Sequence, residues 1–143
     1  MSSSLTPESS AVLKHVDMYQ ALINRMAANS SACKQWAVTL VSAILVLVVD
    51  EGIVKAAALA AIPAVLFWFL DAYYLALEKQ FRAAYSGFLD RLHGQALSAN
   101  ELYRVQVDGK LPATFLVALL SWSVWPFYLG MLGLLGLAKW VVM

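Results

Sequence analysis

Three long apolar stretches divide the chain. Residues 35–49 and 111–138 contain no charge, and residues 53–77 contain only Lys55 and Asp71. An α-helix needs about 20 apolar residues to cross a bilayer. The second and third stretches are long enough alone, and the first reaches that length if Lys34 extends to the interface. The pattern predicts three membrane-spanning helices. The alternative, a buried hairpin in a soluble protein, is disfavoured because too little other chain remains to bury it.

Amphipathic segments flank the first two stretches. Apolar residues recur there at spacings of three and four, which is typical of a heptad seam between helices. If the chain reverses at residues 50–52, facing residues have numbers that add up to about 104, as Val12 and Leu92 do. The two seams then meet in a long antiparallel hairpin. The alternative is that residues 29–31 break the first arm into two helices. The seam residues are Val12, Val16, Tyr19, Ile23, Met26, Phe81, Tyr85, Phe88 and Leu92.

These patterns predict an all-α integral membrane protein. A long antiparallel helical hairpin extends from the membrane into the cytoplasm, and a third transmembrane helix is added to it. Residues 1–34 form a cytoplasmic amphipathic helix, residues 35–77 a transmembrane hairpin, residues 78–111 a cytoplasmic helix and connector, and residues 112–143 an interfacial segment and the third span. The first helix is expected to start at residues 6–8, and the second to end near Gly94.

The basic residues predict the orientation. Three precede the first stretch and five lie between the second and third, which leaves Lys55 and Lys139 for the other side. Basic residues favour the cytoplasmic side of a membrane protein. We therefore expect a multi-pass protein of the bacterial inner membrane, with the N-terminus in the cytoplasm and the C-terminus in the periplasm.

Composition narrows the class of protein. The chain is 62% hydrophobic and 13% charged, with a mean hydropathy of +0.70, so it has too few polar groups to cover a soluble domain. A net charge of +1 gives no basic surface for nucleic acid. The single cysteine and two histidines form no ligand set, so neither a metal nor a cofactor is expected. No catalytic motif is present, and we do not expect an enzyme.

Asp71 is the most informative single residue. An acid within an apolar stretch is costly and indicates a functional or structural site. The pairing places it level with residue 33, so Lys34 is its natural partner, and Arg25, Asn29 and Ser30 are more distant candidates. An intramembrane Asp71–Lys34 ion pair that fixes the hairpin register is favoured over a gate or proton site.

Two further sets of residues follow the helical period. Gln35, Thr39 and Ser42 form a polar line that could line a lumen, or bond across helices and to their own carbonyls. Small residues let transmembrane helices approach closely, which favours helix packing, within or between protomers, over a flexible gate. This small set consists of Ala57, Ala61, Ala64, Gly130, Gly133 and Gly136.

Residues 67–85, with the sequence FWFLDAYYLALEKQFRAAY, resemble a signature of small bacterial inner-membrane proteins. The layout of leading helix, tight transmembrane hairpin and cytoplasmic helix is also similar. These proteins look like the SLATT-type effectors, which are predicted pore-formers encoded beside nucleotide-signalling and other antiphage systems. The resemblance implies a membrane-disrupting effector switched on by infection, and it supplies no catalytic residues.

The expected function is an oligomeric membrane effector that forms a pore or perturbs the inner membrane, in antiphage defence by abortive infection. Three spans cannot easily enclose an aqueous path, so a pore implies a homo-oligomer in the lipid bilayer. The trigger would be a cytoplasmic protein partner or a signal at the arms. The main alternative is a non-conducting anchor or scaffold that docks a soluble partner on its cytoplasmic helices. A weaker third reading is a small transporter built around Asp71.

Overall fold

The computed structural model describes residues 6–51, 54–107 and 109–142, with side chains described outside residues 48–58, 141 and 142. Within these residues the chain is all α-helical and contains no strand. The helices are α1 (Ser10–Glu51), α2 (Val54–His93), α3 (Leu111–Leu119) and α4 (Trp125–Val142), with a short 3-10 turn at Ala99–Glu101. Residues 94–110, which join α2 to α3, are called the connector.

Local chemistry sets the ends of the two long helices. α1 starts at Ser10, slightly later than predicted, because the Ser9 hydroxyl accepts a hydrogen bond from the Val12 N–H at 3.4 Å. α2 ends at His93, and the Ala96 N–H returns to the Arg91 carbonyl at 2.9 Å. This is a Schellman ending, in which Gln95 rather than Gly94 adopts the left-handed conformation with a φ of 54°.

α1 and α2 pack antiparallel along their arms, which are residues 10–34 and 78–93. The ring of Tyr19 contacts that of Tyr85, with centroids 5.7 Å apart. Both belong to the predicted seam, whose other residues are buried or half-buried. α1 is continuous over 42 residues, about 63 Å, so the expected alternative of a break at residues 29–31 is wrong. The reversal predicted at residues 50–52 includes Gly52, which lies outside the described residues.

The third apolar stretch forms two helices, α3 and α4. A turn at residues 120–124 separates α3 from α4, and the Val124 N–H donates to the Ser121 carbonyl at 2.8 Å. Both helices pack on α2. The indole N–H of Trp68 donates to the Leu119 carbonyl at 3.3 Å and thereby satisfies an acceptor at the end of α3. The break therefore keeps several of its backbone groups bonded, as an apolar surrounding favours.

Two segments are long and apolar enough to cross a membrane, within Ser10–Leu47 and Leu59–His93. Only 22% and 28% of their most apolar windows are buried inside the protein, which is unlike the core helix of a soluble protein. Large exposed apolar side chains are concentrated in residues 36–73 and 116–140. These observations support a membrane protein with two candidate spans. This count covers only the described residues, and the third predicted span, which includes α4, stays a prediction.

The packing of the arms predicts a specific crosslink. Val16 packs against the buried cluster that contains Phe88. The variant Val16→Cys/Phe88→Cys should therefore be crosslinked within one chain by a short thiol-reactive reagent, in the majority of molecules, as measured on denaturing gels. Met18 is exposed on another face of α1, so Met18→Cys/Phe88→Cys is the matched control with low yield. Crosslinks between two chains at Val16 alone would show that the seam is intermolecular.

Candidate functional site

Asp71 lies in the interior of the protein. Its residue is 0% exposed, although an ionised carboxylate loses several kcal/mol of hydration when it is buried. α2 places it opposite α1, one position before the buried Ala72. A carboxylate in such a place is stable only if neighbouring groups compensate its charge and bond its oxygens.

Two side chains of α1 supply this compensation. Lys34 Nζ lies 2.6 Å from Asp71 Oδ2, so the ion pair expected from the pairing is present. The Ser30 hydroxyl donates to Asp71 Oδ1. Lys34 Nζ also lies 3.4 Å from Ser30 Oγ, which closes a three-membered network. Lys34 and Ser30 are one helical turn apart, so one face of α1 presents both groups.

Tyr128 of α4 completes the site. It is 0% exposed and lies near the Asp71 carboxylate, and its hydroxyl makes no hydrogen bond among the described residues. Its ring stacks on that of Trp68 with centroids 6.2 Å apart. We call Asp71, Lys34, Ser30 and Tyr128 the Asp71 cluster. It joins α1, α2 and α4 at one level.

The geometry of the Asp71 cluster suits a structural lock better than a gate. Asp71 has no exposed surface, and Lys34, whose side chain is 24% exposed, is its only charged contact in the described part of the chain. A slip of α1 by one residue would rotate both Lys34 and Ser30 by about 100° and strand the carboxylate. The cluster therefore fixes the register between α1 and α2.

The predicted polar line lies on the opposite side of α1. Gln35, Thr39 and Ser42 are all exposed, whereas Ala37, about 200° from Thr39 around the helix, is fully buried. The Thr39 hydroxyl donates to the Gln35 carbonyl at 2.9 Å. Neither Gln35 nor Ser42 makes a side-chain hydrogen bond in the described part of the chain. The line thus points away from the rest of its own protomer.

The small residues divide into two groups. Ala64 is fully buried and Ala61 packs beside it in the core, so both make close helix contacts within the protomer. The side chain of Ala57 lies outside those described. A Cβ added at Gly130, Gly133 or Gly136 would meet nothing within 4 Å. The packing predicted for these glycines is therefore not made within the protomer, and packing between protomers remains a prediction.

Three residues of the Asp71 cluster, the polar line and the seam were not predicted from the sequence. Tyr128 reaches the Asp71 cluster from a distant part of the chain, and no spacing signals that approach. Ser31 is exposed one turn before Gln35 and extends the polar line. His15 occupies a fully buried position of the seam, where the Tyr103 N–H donates to its Nδ1 at 2.9 Å. Its spacing from Val12 and Tyr19 fits the seam, but a histidine is not counted as apolar when the pattern is read.

No family model, curated protein or solved structure matches this chain. The resemblance of residues 67–85 to SLATT-type proteins therefore stays a prediction. The site is defined by its own geometry.

The Asp71 cluster predicts unequal costs for its two charges. Lys34→Gln strands a fully buried carboxylate and should lower the free energy of unfolding by about 3–5 kcal/mol. Asp71→Asn should cost about 1 kcal/mol, because the remaining ammonium can extend along the surface to water. The double variant should recover part of the larger loss. Unfolding by sodium dodecyl sulfate in mixed micelles, followed by circular dichroism, measures these energies.

The exposed Glu78–Arg82 pair on α2 is the matched control. Arg82 Nε lies 2.8 Å from Glu78 Oε1, but the arginine side chain is 64% exposed. Arg82→Gln should therefore change stability very little. Equal losses for Lys34→Gln and Arg82→Gln, or strictly additive losses in the Asp71 and Lys34 double variant, would contradict the assigned role of the cluster.

Proposed function

We propose that this protein is an oligomeric membrane protein that forms a pore, with Gln35, Thr39 and Ser42 of α1 lining it. The observation that carries the proposal is the position of this polar line. It lies on the outer side of the protomer, within a region whose other exposed side chains are apolar and, except for Ala43, large. In lipid, that arrangement leaves polar groups on a surface that hydrocarbon would otherwise cover.

The energetics favour a partner or water over lipid at the polar line. An amide or hydroxyl without a hydrogen bond costs roughly 2–7 kcal/mol in an apolar surrounding, depending on the reference state. Thr39 bonds to its own helix, but Gln35 and Ser42 have no partner in the described part of the chain. Copies of the chain arranged with these faces inward would surround a wet lumen and leave the apolar faces in lipid.

The proposed orientation follows the basic residues. The arms and the connector lie in the cytoplasm, residues 35–77 form a transmembrane hairpin, and α4 crosses outward to a periplasmic C-terminus. The distribution of basic residues supports this orientation. Support for the third span comes from α4 itself, which has 18 residues, about 27 Å, with many exposed apolar side chains. The membrane is proposed to be the bacterial inner membrane.

A role in antiphage defence is the part of the proposal that depends on resemblance. The residues that support it are 67–85, which include Asp71. In this role the pore opens when a cytoplasmic partner or signal acts on the arms, and the loss of the ion gradients stops the infected cell. The arms and connector offer the cytoplasmic surface for such a trigger.

A non-conducting scaffold is the second candidate function. The observation that favours it is an open groove on the arm of α1 beside the connector, lined mainly by apolar atoms of Met18, Ala21 and Tyr103 and bordered by Lys14 and Asp17. A soluble partner could dock there. A scaffold needs no polar line, so conductance separates the two functions.

A lining residue should be accessible to a charged thiol reagent from water. Thr39→Cys, reconstituted in planar bilayers, should lose at least about half of its conductance after treatment with a positively charged methanethiosulfonate, because the added group narrows the lumen and repels cations. Leu40→Cys is the matched control at the same depth, since Leu40 is 40% exposed and lies about 100° further around α1. Its conductance should not change.

The unmodified chain, treated with the same reagent, controls for the native Cys33, which is buried. Equal block of the two variants would show that Thr39 does not face a lumen. Absence of conductance in the unmodified chain at every protein-to-lipid ratio, with intact assembly, would favour the scaffold.

A further inference from the structure

His15 is a buried histidine with a defined protonation state. It is 0% exposed, and its Nδ1 accepts a hydrogen bond from the Tyr103 N–H at 2.9 Å. A ring nitrogen that accepts a hydrogen bond carries no proton, so the neutral imidazole holds its proton on Nε2. Nε2 has no hydrogen-bond partner among the described residues.

Aromatic rings surround the imidazole. Its centroid lies 5.0 Å from that of Tyr19 on the same helix, 4.6 Å from that of Phe88 on α2, and 6.5 Å from that of Tyr103 in the connector. Burial lowers the pKa of His15 below 6.5, because the charged form loses its hydration. The charged groups within three residues of His15, Phe88 or Tyr103 along the chain are Lys14, Asp17, Asp90, Arg91, Glu101 and Arg104.

The hydrogen bond holds an unfavourable backbone conformation. Tyr103 has a φ of 63°, in the left-handed region that residues other than glycine rarely adopt. The connector is otherwise fastened by an Arg91–Glu101 ion pair of 3.2 Å and by apolar contacts with the arms. The apolar contacts are those of Leu97, Leu102 and Val105. Loss of the acceptor on His15 would leave the Tyr103 N–H without its partner and the strain uncompensated.

The connector leads directly to the membrane helices. Gly109 lies so close to α2 that an added Cβ would be 3.4 Å from Gln80 Nε2, and α3 begins two residues later. α3 then packs on α2, where the rings of Phe115 and Phe69 stack 6.2 Å apart. Release of Tyr103 would thus free the segment that positions α3 against α2.

We propose that the His15–Tyr103 contact is a proton-sensitive latch, which fastens the connector to the arms when the imidazole is neutral and releases it when the imidazole is protonated. Protonation places a hydrogen on Nδ1, so the nitrogen repels the Tyr103 N–H instead of accepting from it. It also leaves a cation without a carboxylate partner among aromatic rings. The latch does not depend on whether the protein conducts ions.

The direction of the pH effect follows from linkage. The released histidine has the ordinary pKa near 6.5, and the latched histidine has a lower one. The latch is therefore fully closed above about pH 7. As the pH falls below about 6.5, the equilibrium constant for release rises by at most about tenfold per pH unit. Between about pH 7.5 and pH 5, the open fraction should rise by up to about 30-fold.

Hydrogen exchange of the full chain in lipid nanodiscs tests the latch. The measured quantity is the protection factor of residues 99–107, which is the intrinsic exchange rate at each pH divided by the observed rate. We expect it to fall by up to about 30-fold between about pH 7.5 and pH 5. His15→Asn keeps an acceptor oxygen near the position of Nδ1 but cannot titrate, so its protection should be the same at both pH values.

His93→Asn is the matched control, because His93 is exposed at the end of α2 and is the only other histidine. This variant should keep the full pH dependence. If His15→Asn does not fold, the comparison still decides, since His93→Asn leaves His15 as the sole histidine. Unchanged protection in the unmodified chain, or loss of the pH dependence in His93→Asn, would overturn the latch. Either result would leave the pore proposal untouched.

Discussion

A fully buried carboxylate constrains the arrangement of the helices. Asp71 is stable in the interior only because Lys34 and Ser30 of α1 meet it there. These two groups come from one face of α1 and are one turn apart, so they accept the carboxylate in one register only. Tyr128 of α4 lies near the same carboxylate. The hydrogen bond and the ion pair of Asp71 thereby fix α1 and α2 at one level.

Fixing this register also determines what the outside of the protein presents. With Ser30, Lys34 and Ala37 of α1 facing the other helices, Gln35 and Thr39 must face away, because helical geometry places them on the far side. The internal ion pair and the external polar line are consequences of the same rotation of one helix. This is why a structural lock inside the protomer bears on a proposed lumen outside it.

Much of the arrangement was predictable from the sequence. The heptad spacing predicted which faces of the arms are buried, and the addition of residue numbers predicted that Asp71 would meet Lys34. Both rest on helical periodicity, which a single sequence displays. The predictions of the helix ends were less accurate. Ser9 caps α1 through one local hydrogen bond, and Gln95 adopts the left-handed conformation although a glycine precedes it.

Other features depend on tertiary contacts that leave no periodic signal. His15 is buried at a seam position because the Tyr103 N–H bonds to it, and that partner comes from the connector. The approach of Tyr128 to Asp71 depends on the turn between α3 and α4, whose position the sequence marks only by Pro126. The sequence predicts an interfacial segment followed by a span within residues 112–143, but no spacing in it predicts the approach of Tyr128 to Asp71.

The central claim is that one face of α1 meets water in the membrane while its neighbouring faces meet lipid and protein. Spin labels placed one at a time along residues 35–47, in liposomes, test it through collisions with oxygen and with a water-soluble nickel complex. Nickel accessibility is expected to peak at residues 35, 39 and 42, with a period of about 3.6 residues. Oxygen accessibility is expected to peak at residues 36, 40 and 47. Both should be low at residues 37 and 41. Oxygen maxima at residues 35, 39 and 42 would place the polar line in lipid and contradict the account.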